Sequence, residues 1–260
     1  MSSAPLMFVG HGSPMMALEK GRPAKLLQEV SYLFSEARAI IVVSAHWLTQ
    51  GWTLSTGASP RTVHDFGGFP SELYRVQYPA AGDPELAAEL RRELISLGID
   101  VQEDQNRGWD HGVWVPLIHL RPEADIPVIQ LSLNISASPQ QLYSMGEILR
   151  RFRHRGIAVI LSGSLTHNLY DLRASHDDVA SYVVRFQEWI RDRLTNKDFG
   201  SLLAADQHRY YARAHPTDEH FLPLHIALGA TDGLDELTVL AGGIRHYALS
   251  MDSYLWQKTG

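Results

Sequence analysis

The sequence predicts an α/β protein with three layers, α/β/α, in which helices cover both faces of a largely parallel, mixed central sheet. Short apolar runs alternate along the chain with segments of helical periodicity. The apolar runs are β-branched or aliphatic and stop at Gly, Ser or Pro, as strands buried on both faces of a sheet do. This alternation favours parallel pairing of the strands. The 260 residues are expected to form one domain, residues 1–260.

Four apolar runs predict the strands of the central sheet. They are Leu6–Val9, Ile40–Ser44, Pro127–Leu133 and Ile157–Ser162. Four segments with apolar residues at helical spacing predict the helices. They are Pro23–Ala37, Pro84–Leu97, Pro139–His154 and Val179–Leu194.

Two further segments complete the predicted architecture. Leu237–Leu240 and His246–Tyr254 flank a Gly-Gly pair and predict an edge hairpin, which makes the sheet mixed. Between Thr49 and Gly82, eight glycines or prolines interrupt any regular pattern. A long irregular segment inside a compact fold is more often a functional loop or lid than a simple connection.

Composition excludes several classes of function. The chain contains no cysteine, which rules out disulfides, thiolate zinc sites, iron–sulfur clusters and cysteine nucleophiles. Any bound metal must therefore be held by imidazole and carboxylate groups. The net charge is −6, and the densest basic segment, residues 150–155, ends a predicted helix, where it complements the helix dipole. With no apolar run of membrane-spanning length, we expect a cytoplasmic protein without a nucleic-acid or membrane partner.

The thirteen histidines are unusual in their placement. His11, His46 and His167 each follow a predicted strand, at the edge where open α/β sheets bind their ligands. His111 lies in the segment Trp109–Trp114. Next to Glu219, His220 lies in a loop just before a short helix that is expected to begin near Pro223. Any one of these histidines also fits a hydrogen-bonded residue at a strand end, but together they indicate a metal site.

Other residues have simpler interpretations. His119 and His225 are expected at the edge of the core. Surface positions are expected for four histidines, namely His154, His176, His208 and His246. Ser13 is expected to cap a turn or helix, because no nucleophile motif surrounds it.

Two sets of residues have two interpretations each. Asp65 either orients an imidazole or caps a surface turn together with His64. The tryptophans Trp47, Trp109 and Trp114 either line a pocket for a planar ring or belong to the core.

Six blocks, in order, give the chain a recognisable pattern. They are Gly10–Pro14, Ser44–Trp47, His64–Pro70, Asp110–Trp114, Thr166–Leu169 and Glu219–Leu224. The pattern closely resembles the class III extradiol ring-cleaving dioxygenases, specifically the 4,5-DOPA dioxygenase extradiol subfamily. It extends from Gly10 to about Gly229, which is nearly the whole chain.

The resemblance implies an enzyme that opens the ring of a DOPA-like catechol with O₂ at a non-haem Fe(II) site. It implies His11, His46 and His220 as metal ligands. His167 would be an acid–base residue or a fourth metal contact, and His111 a polar group facing the substrate. More distant members of the class complete the metal triad with glutamate, so Glu219 is an alternative third ligand.

The ligand types leave other chemistry open. Three neutral histidines also form the zinc site that activates water, so a zinc-dependent hydrolase is the main alternative. A tetrapyrrole metal chelatase is a third reading, based on the strand-end segment His11-Gly12-Ser13. Zn(II) is also expected to compete for the site during purification, since it outranks Fe(II) in the Irving–Williams order.

Overall fold

A computed structural model describes residues 3–173 and 178–258. The strands in these ranges are β1 (Leu6–Gly10), β2 (Ala39–Thr49), β3 (Trp52–Ser55), β4 (Val101–Asp104), β5 (Val128–Asn134), β6 (Ile157–Gly163), β7 (Glu236–Leu240), β8 (Ile244–Arg245), β9 (Leu249–Ser250) and β10 (Ser253–Gln257). The α-helices are α1 (Arg22–Glu29), α2 (Pro84–Ser96), α3 (His111–Leu120), α4 (Pro139–Arg153), α5 (Ser181–Thr195), α6 (Phe199–Leu203), α7 (Tyr211–Ala214) and α8 (Leu222–Ala230).

The main sheet has eight strands in the order β4-β3-β5-β2-β6-β1-β10-β7. The central strands β5, β2, β6 and β1 are parallel to their neighbours within this group. Antiparallel pairs join β3 to β5, β10 to β1 and β7 to β10. The sheet is therefore mixed and largely parallel at its centre, which confirms the predicted class.

The sheet separates two apolar cores. On β1, Leu6 and Phe8 belong to one core, whereas Met7 and Val9 belong to the other. Side chains of a strand point alternately to the two faces, so both faces of β1 are buried. Helices α2, α4, α5 and α8 cover one face, and α1 and α3 cover the other. This arrangement gives the three predicted layers.

Strand β2 is longer than its predicted apolar run and loses its regular register near its end. Ile40–Val43 pair with β5, and pairing resumes at Leu48 after an irregularity. His46 lies inside the irregular part. Such irregularities recur next to active sites because they redirect a side chain out of the regular alternation.

The structure corrects the predicted boundaries in three places. Helix α1 ends at Glu29, and a short 3₁₀ helix, Ser31–Phe34, replaces its predicted continuation because Val30 leaves helical geometry. β3, β4 and α3 were not predicted. The hairpin partner of β7 is Ser253–Gln257. Of the segment predicted for that strand, Ser253 and Tyr254 belong to β10, whereas Leu249–Ser250 form β9, which pairs with β8 in a separate small sheet.

The basic segment at residues 150–155 ends helix α4, as expected. Arg150 and Arg151 lie in its last turn. Arg153 is instead fully buried, and its Nη1 donates to Asp235 Oδ2 at 2.7 Å. Across the described ranges, none of the helices is long and apolar enough to span a bilayer. A cytoplasmic location and the absence of a nucleic-acid or membrane partner stay predictions.

His119 and His225 are buried, which confirms their expected places at the core. Burial lowers the pKa of both imidazoles, and it lowers that of His225 from 6.5 to about 4. The His225 Nε2 pairs with the carbonyl oxygen of Leu202 at 3.2 Å. A neutral imidazole therefore fits this place in the folded chain, and a protonated one does not.

Lowering the pH from 6.5 toward 4 is expected to destabilise the folded chain through His225. In this window the unfolded state binds a proton that the folded imidazole does not, so the free energy of unfolding falls as the pH falls. Such a group contributes about 1.4 kcal/mol per pH unit inside the window. Urea unfolding at about pH 7 and about pH 5 measures the loss. His225→Gln should show a smaller loss than the wild type, and the exposed His154→Gln should match the wild type. An unchanged pH dependence in His225→Gln would contradict the prediction.

Candidate metal centre

Five histidines meet at the carboxyl edge of the central sheet. His11 follows β1, His46 lies in β2, and His111 is the first residue of α3. His167 lies in the loop after β6, and His220 lies in the loop before α8. These are the five histidines that the sequence singled out, and the fold brings them all to one place.

The backbone holds these segments together at the strand ends. The N–H of His11 donates to the Gly163 carbonyl at 3.2 Å, and the N–H of Ser164 donates to the His220 carbonyl at 2.9 Å. The N–H of His167 donates to the Ala214 carbonyl at 2.8 Å. The backbone at the end of β6 therefore holds the segments that carry His11 and His220 in place through hydrogen bonds.

The side chains form two adjoining groups. Ligand atoms of His11, His46 and His111 all lie within 4.8 Å of one another, and so do those of His167, Glu219 and His220. The ring of His220 lies 5.4 Å from that of His11 and 5.0 Å from that of His46, measured between centroids. His220 thus connects the two groups.

Hydrogen bonds fix the tautomer of His11. The Ser162 hydroxyl donates to the Gly112 carbonyl at 2.5 Å, so it accepts from His11 Nδ1 at 2.9 Å. His11 Nε2 is then unprotonated, and it lies 2.9 Å from His46 Nε2. Two nitrogens bound to one metal at about 2.1 Å and a near-right angle are about 3 Å apart. The spacing of this pair fits shared coordination.

His220 presents a second unprotonated nitrogen. Its Nδ1 donates to the Glu219 carboxylate at 2.8 Å, while its buried Nε2 has no hydrogen-bond partner within residues 3–173 and 178–258. A histidine that binds a metal through one nitrogen commonly donates the other N–H to a carboxylate. The donor set of His11, His46 and His220 fits a metal ion, with Glu219 behind His220. Their assignment as ligands stays a prediction.

His167 lies flat against His220. The two ring centroids are 3.4 Å apart and the planes differ by 10°. An imidazole lone pair lies in the plane of its ring, so the lone pairs of two stacked rings lie in separate, nearly parallel planes and do not converge on one point. This geometry disfavours coordination of one ion by both rings.

Burial lowers the pKa of His11, His46 and His220. Burial, together with the neighbouring imidazoles, lowers the pKa of His11 and of His220 well below 6.5. Burial and His111 lower the pKa of His46 to about 4, against the opposing effect of Asp110 and Asp65. Neutral imidazoles have the lone pairs that a metal or a substrate proton requires.

Asp65 reaches the cluster from the long irregular segment after β3. Its Oδ1 accepts the backbone N–H of His111 at 2.9 Å and lies 3.0 Å from His111 Nδ1. Its Oδ2 lies 3.9 Å from His46 Nδ1. Burial alone raises the pKa of Asp65, but the contacts with His111 and His46 lower it to about 2. The structure therefore favours the role of orienting imidazoles over that of a surface turn.

The segment Gly10–Pro14 shows why its residue types matter. Gly12 has φ of +61°, a left-handed conformation, and a Cβ there would collide with the Met251 side chain. Ser13 caps the 3₁₀ helix Pro14–Ala17 by accepting the N–H of Met15 at 3.3 Å. The capping role expected for Ser13 is confirmed.

Sequence reasoning missed a buried polar network behind His46. Asp110 is 1% exposed and accepts hydrogen bonds from Ser44 Oγ at 2.7 Å and Gln130 Nε2 at 2.6 Å. Arg107 donates to the same carboxylate. The Ser44 hydroxyl also accepts the N–H of His46 at 3.1 Å. The signal in the sequence was Gln130, a polar residue in an otherwise apolar strand.

A pocket of about 590 Å³ opens over the cluster. His11, His46, His111 and His167 line it, and its apolar walls come from Pro14, Phe66, Phe69, Leu169, Leu172 and Leu249. The long irregular segment supplies both phenylalanines, as expected of a functional loop.

The predicted tryptophans do not line this pocket. Trp109 and Trp114 are fully buried in the core, and the Arg107 guanidinium lies 4.8 Å from the centroid of the Trp47 ring. Of their two interpretations, the core is correct for Trp109 and Trp114.

The histidines expected at the surface differ in their exposure. His154 is exposed and His208 is half-buried. His246 is half-buried and lines the pocket, which the sequence did not indicate. His176 lies outside the described residues.

The sequence matches one protein family and several known proteins over nearly its whole length. Residues 5–251 match the family described as the catalytic LigB subunit of aromatic ring-opening dioxygenase. The 4,5-DOPA dioxygenase extradiol of Escherichia coli (strain K12) is 38% identical over 252 residues, covering 95% of this chain and 92% of that protein. The protein of the same name from Beta vulgaris is 36% identical over 260 residues, covering 97% and 96%.

The fold agrees with these relatives. The crystal structure of an uncharacterized protein from Escherichia coli K12 matches with a TM-score of 0.84 at 34% identity, covering 97% of this chain and 99% of that one. The family match and the relatives both extend over nearly the whole chain. They confirm the resemblance inferred from the six sequence blocks, and with it the expected class of ring-opening dioxygenase. The chain therefore belongs to the family of the catalytic LigB subunit of aromatic ring-opening dioxygenases.

Proposed function

We propose that the chain opens the aromatic ring of a catechol-type, DOPA-like substrate with O₂, at Fe(II) held by His11, His46 and His220. The observation that carries this proposal is the set of three inward nitrogens. The Nε2 atoms of His11 and His46 lie 2.9 Å apart, and the buried Nε2 of His220 has no hydrogen-bond partner in the described part of the chain. The names of the relatives support the reaction class and the kind of substrate.

The choice of metal follows from the reaction. Fe(II) in a facial triad supplies exchangeable coordination positions and redox chemistry. Zinc has no redox chemistry. The rest of the chemistry belongs to the side chains around the triad. A zinc hydrolase and a tetrapyrrole chelatase are not favoured, because the matched relatives are named as dioxygenases.

His167 is the proposed base that takes a proton from a catechol hydroxyl. Burial lowers its pKa below 6.5, so the ring is neutral near pH 7 and able to accept a proton. Stacking on His220 supports a place outside the ligand set, because the two lone pairs do not converge. The same stacking fixes the ring beside the reaction centre. Glu219 is placed behind His220, to which it is hydrogen-bonded.

His111 and the phenylalanines complete the proposed substrate site. His111 lines the pocket and is held by Asp65, so it is positioned to hydrogen-bond an oxygen of the reacting molecules. Phe66 packs against His111 with ring centroids 5.8 Å apart, and Phe69 packs against Phe66 at 5.3 Å. The two phenylalanine rings meet edge to face and supply an apolar wall that packs against an aromatic ring and excludes water from it.

The decisive test is metal replacement. Metal is removed without air, the protein is reloaded separately with Fe(II) and with Zn(II), and oxygen uptake is measured with a panel of catechols. We expect oxygen uptake and a coloured ring-opened product only with Fe(II). Catechol binding by the Fe(II) form without oxygen uptake would sink the proposal, and ester or amide hydrolysis by the zinc form would then favour the hydrolase.

Replacing Asp65 by asparagine is expected to lower the affinity for Fe(II), or the turnover, by about 10- to 100-fold. The amide keeps the shape of the side chain but removes the charge that orients His111 and His46. Metal titration and oxygen uptake measure the two effects. The control is Asp125→Asn, whose carboxylate pairs with Arg121 on the surface. Values within twofold of the wild type for Asp65→Asn would show that the carboxylate does not support the site.

A further inference from the structure

The pocket extends well beyond the histidine cluster. Besides the histidines of the cluster, Leu169, Leu172, Arg173, His246 and Leu249 line it. Cavities of ~300–1,000 Å³ hold drug-sized ligands, and a bare catechol is only a fragment of such a ligand. The pocket of about 590 Å³ therefore has room for a substituent on the ring.

The permanent charge on the described residues that line the pocket is of one sign. Among the described residues that line the pocket, Arg173 is the one with a permanent positive charge, and none carries a carboxylate. A pocket with apolar walls, imidazoles beside them and one fixed cation favours a ligand that has an apolar part and an anionic group.

Arg173 is held in place from several sides. Its guanidinium lies 3.7 Å from the centroid of the Tyr247 ring, and its backbone N–H donates to the His246 carbonyl at 3.1 Å. Its Nη1 donates to the exposed Asp178 at 3.0 Å. Stacking fixes the plane of the guanidinium, and Asp178 engages only part of a group that has five N–H donors.

The turn beneath Arg173 is strained. His246 and Tyr247 have φ of 51° and 74°, the left-handed region that residues with a side chain rarely adopt. Strain of this kind clusters at ligand sites, where the surrounding structure maintains it. Here the backbone N–H of Ala180 donates to the Tyr247 carbonyl at 2.9 Å, so the turn also anchors the chain at Ala180.

We propose that Arg173 binds a carboxylate on the substituent of the ring substrate, so that catechols with an acidic side chain are preferred. A planar guanidinium binds a carboxylate through two parallel N–H···O bonds, which sets both distance and orientation. The inference rests on the proposed function, because it assumes that the ring lies over the histidines. It adds a group that selects the substrate and takes no part in opening the ring.

The test compares two catechols of equal length, 3-(3,4-dihydroxyphenyl)propanoate and 4-propylcatechol. Their Kd values are measured by calorimetry, without oxygen, on Fe(II)-loaded protein. In Arg173→Gln, the ratio of Kd for the acid to Kd for the neutral catechol should rise about 5- to 30-fold over the wild-type ratio. Arg173→Lys should give a smaller rise, because it keeps the charge but loses the planar fork.

Arg213→Gln is the matched control. Arg213 has a similar exposed fraction, 58% against 55% for Arg173, and it likewise pairs with an aspartate and stacks on a tyrosine, but it does not line the pocket. Its Kd ratio should stay within twofold of the wild type. An unchanged ratio in Arg173→Gln, or an equal loss for both catechols, would overturn the inference.

The same samples separate this inference from the proposed function. Exposing them to air and following oxygen uptake tests ring opening directly. A wild-type protein that binds both catechols but consumes no oxygen contradicts the proposed function. The Kd ratio still decides the role of Arg173, since it requires no turnover.

Discussion

His220→Ala is expected to remove most of the bound Fe(II) and to lower ring-opening activity by more than about a hundredfold. Changing a residue that merely orients a ligand costs about 10- to 100-fold, and deleting the ligand itself costs more. The buried Nε2 of His220 has no hydrogen-bond partner among the described residues, and alanine has no group that could bind the ion in its place. Metal content by mass spectrometry and oxygen uptake measure the two losses on the same preparation.

The contrast with His167→Ala makes this prediction specific. If His167 is the base, its loss leaves metal content near that of the wild type while turnover falls by about 10²- to 10⁴-fold. The exposed His154 gives the control, because His154→Ala should retain both metal and turnover. Full metal content in His220→Ala would remove it from the ligand set. Loss of metal in His167→Ala would make that residue a ligand.

Asp235→Ala is expected to destabilise the folded chain by about 3–5 kcal/mol, the usual effect of removing one partner of a buried ion pair. Arg153 and Asp235 are 0% and 1% exposed, so the substitution leaves a guanidinium buried without its carboxylate. Arg153 also donates to the carbonyl oxygens of Ala4 and Ala230. Its neighbours therefore prevent it from turning toward water. The free energy of unfolding in urea measures the effect.

Glu103→Ala is the matched surface change. Glu103 and Arg91 form a longer, exposed pair at 3.7 Å, and such pairs contribute about 0–1 kcal/mol. The double variant Arg153→Met with Asp235→Leu removes both charges, and we expect it to recover much of the stability lost in Asp235→Ala. An Asp235→Ala protein as stable as Glu103→Ala would contradict the prediction.

The sequence was most informative where chemistry coincides with the ends of buried strands. His11, His46 and His167 could be placed at one edge because parallel strands end together, whatever the path of the loops between them. The contact between Asp65 and His111 could not be derived, because it depends on how the irregular segment folds back. The short strand β4 was missed because it carries exposed polar side chains, Gln102 and Glu103, and so lacks a buried run.

His246 shows a different limit of sequence reasoning. Its place in the pocket depends on two consecutive left-handed residues, and neither His246 nor Tyr247 is a glycine or asparagine that would mark such a turn. Arg173 was missed for the same reason, since the turn brings it to the pocket. The residues proposed to hold the metal are visible in the sequence, whereas the residue proposed to select the substrate is not.

The position of β1 in the sheet has a consequence for how the protein is made. Its residue Leu6 pairs with Val159 on one side and with Trp256 on the other, so the first strand completes its pairing only with strands from far along the chain. Such long-range pairing slows folding, because a large loop must close before the contact forms. The histidines of the cluster come from segments as widely separated as His11 and His220. We therefore expect the sheet to form before the metal site does. The ion is then expected to bind the folded protein and not to start its folding.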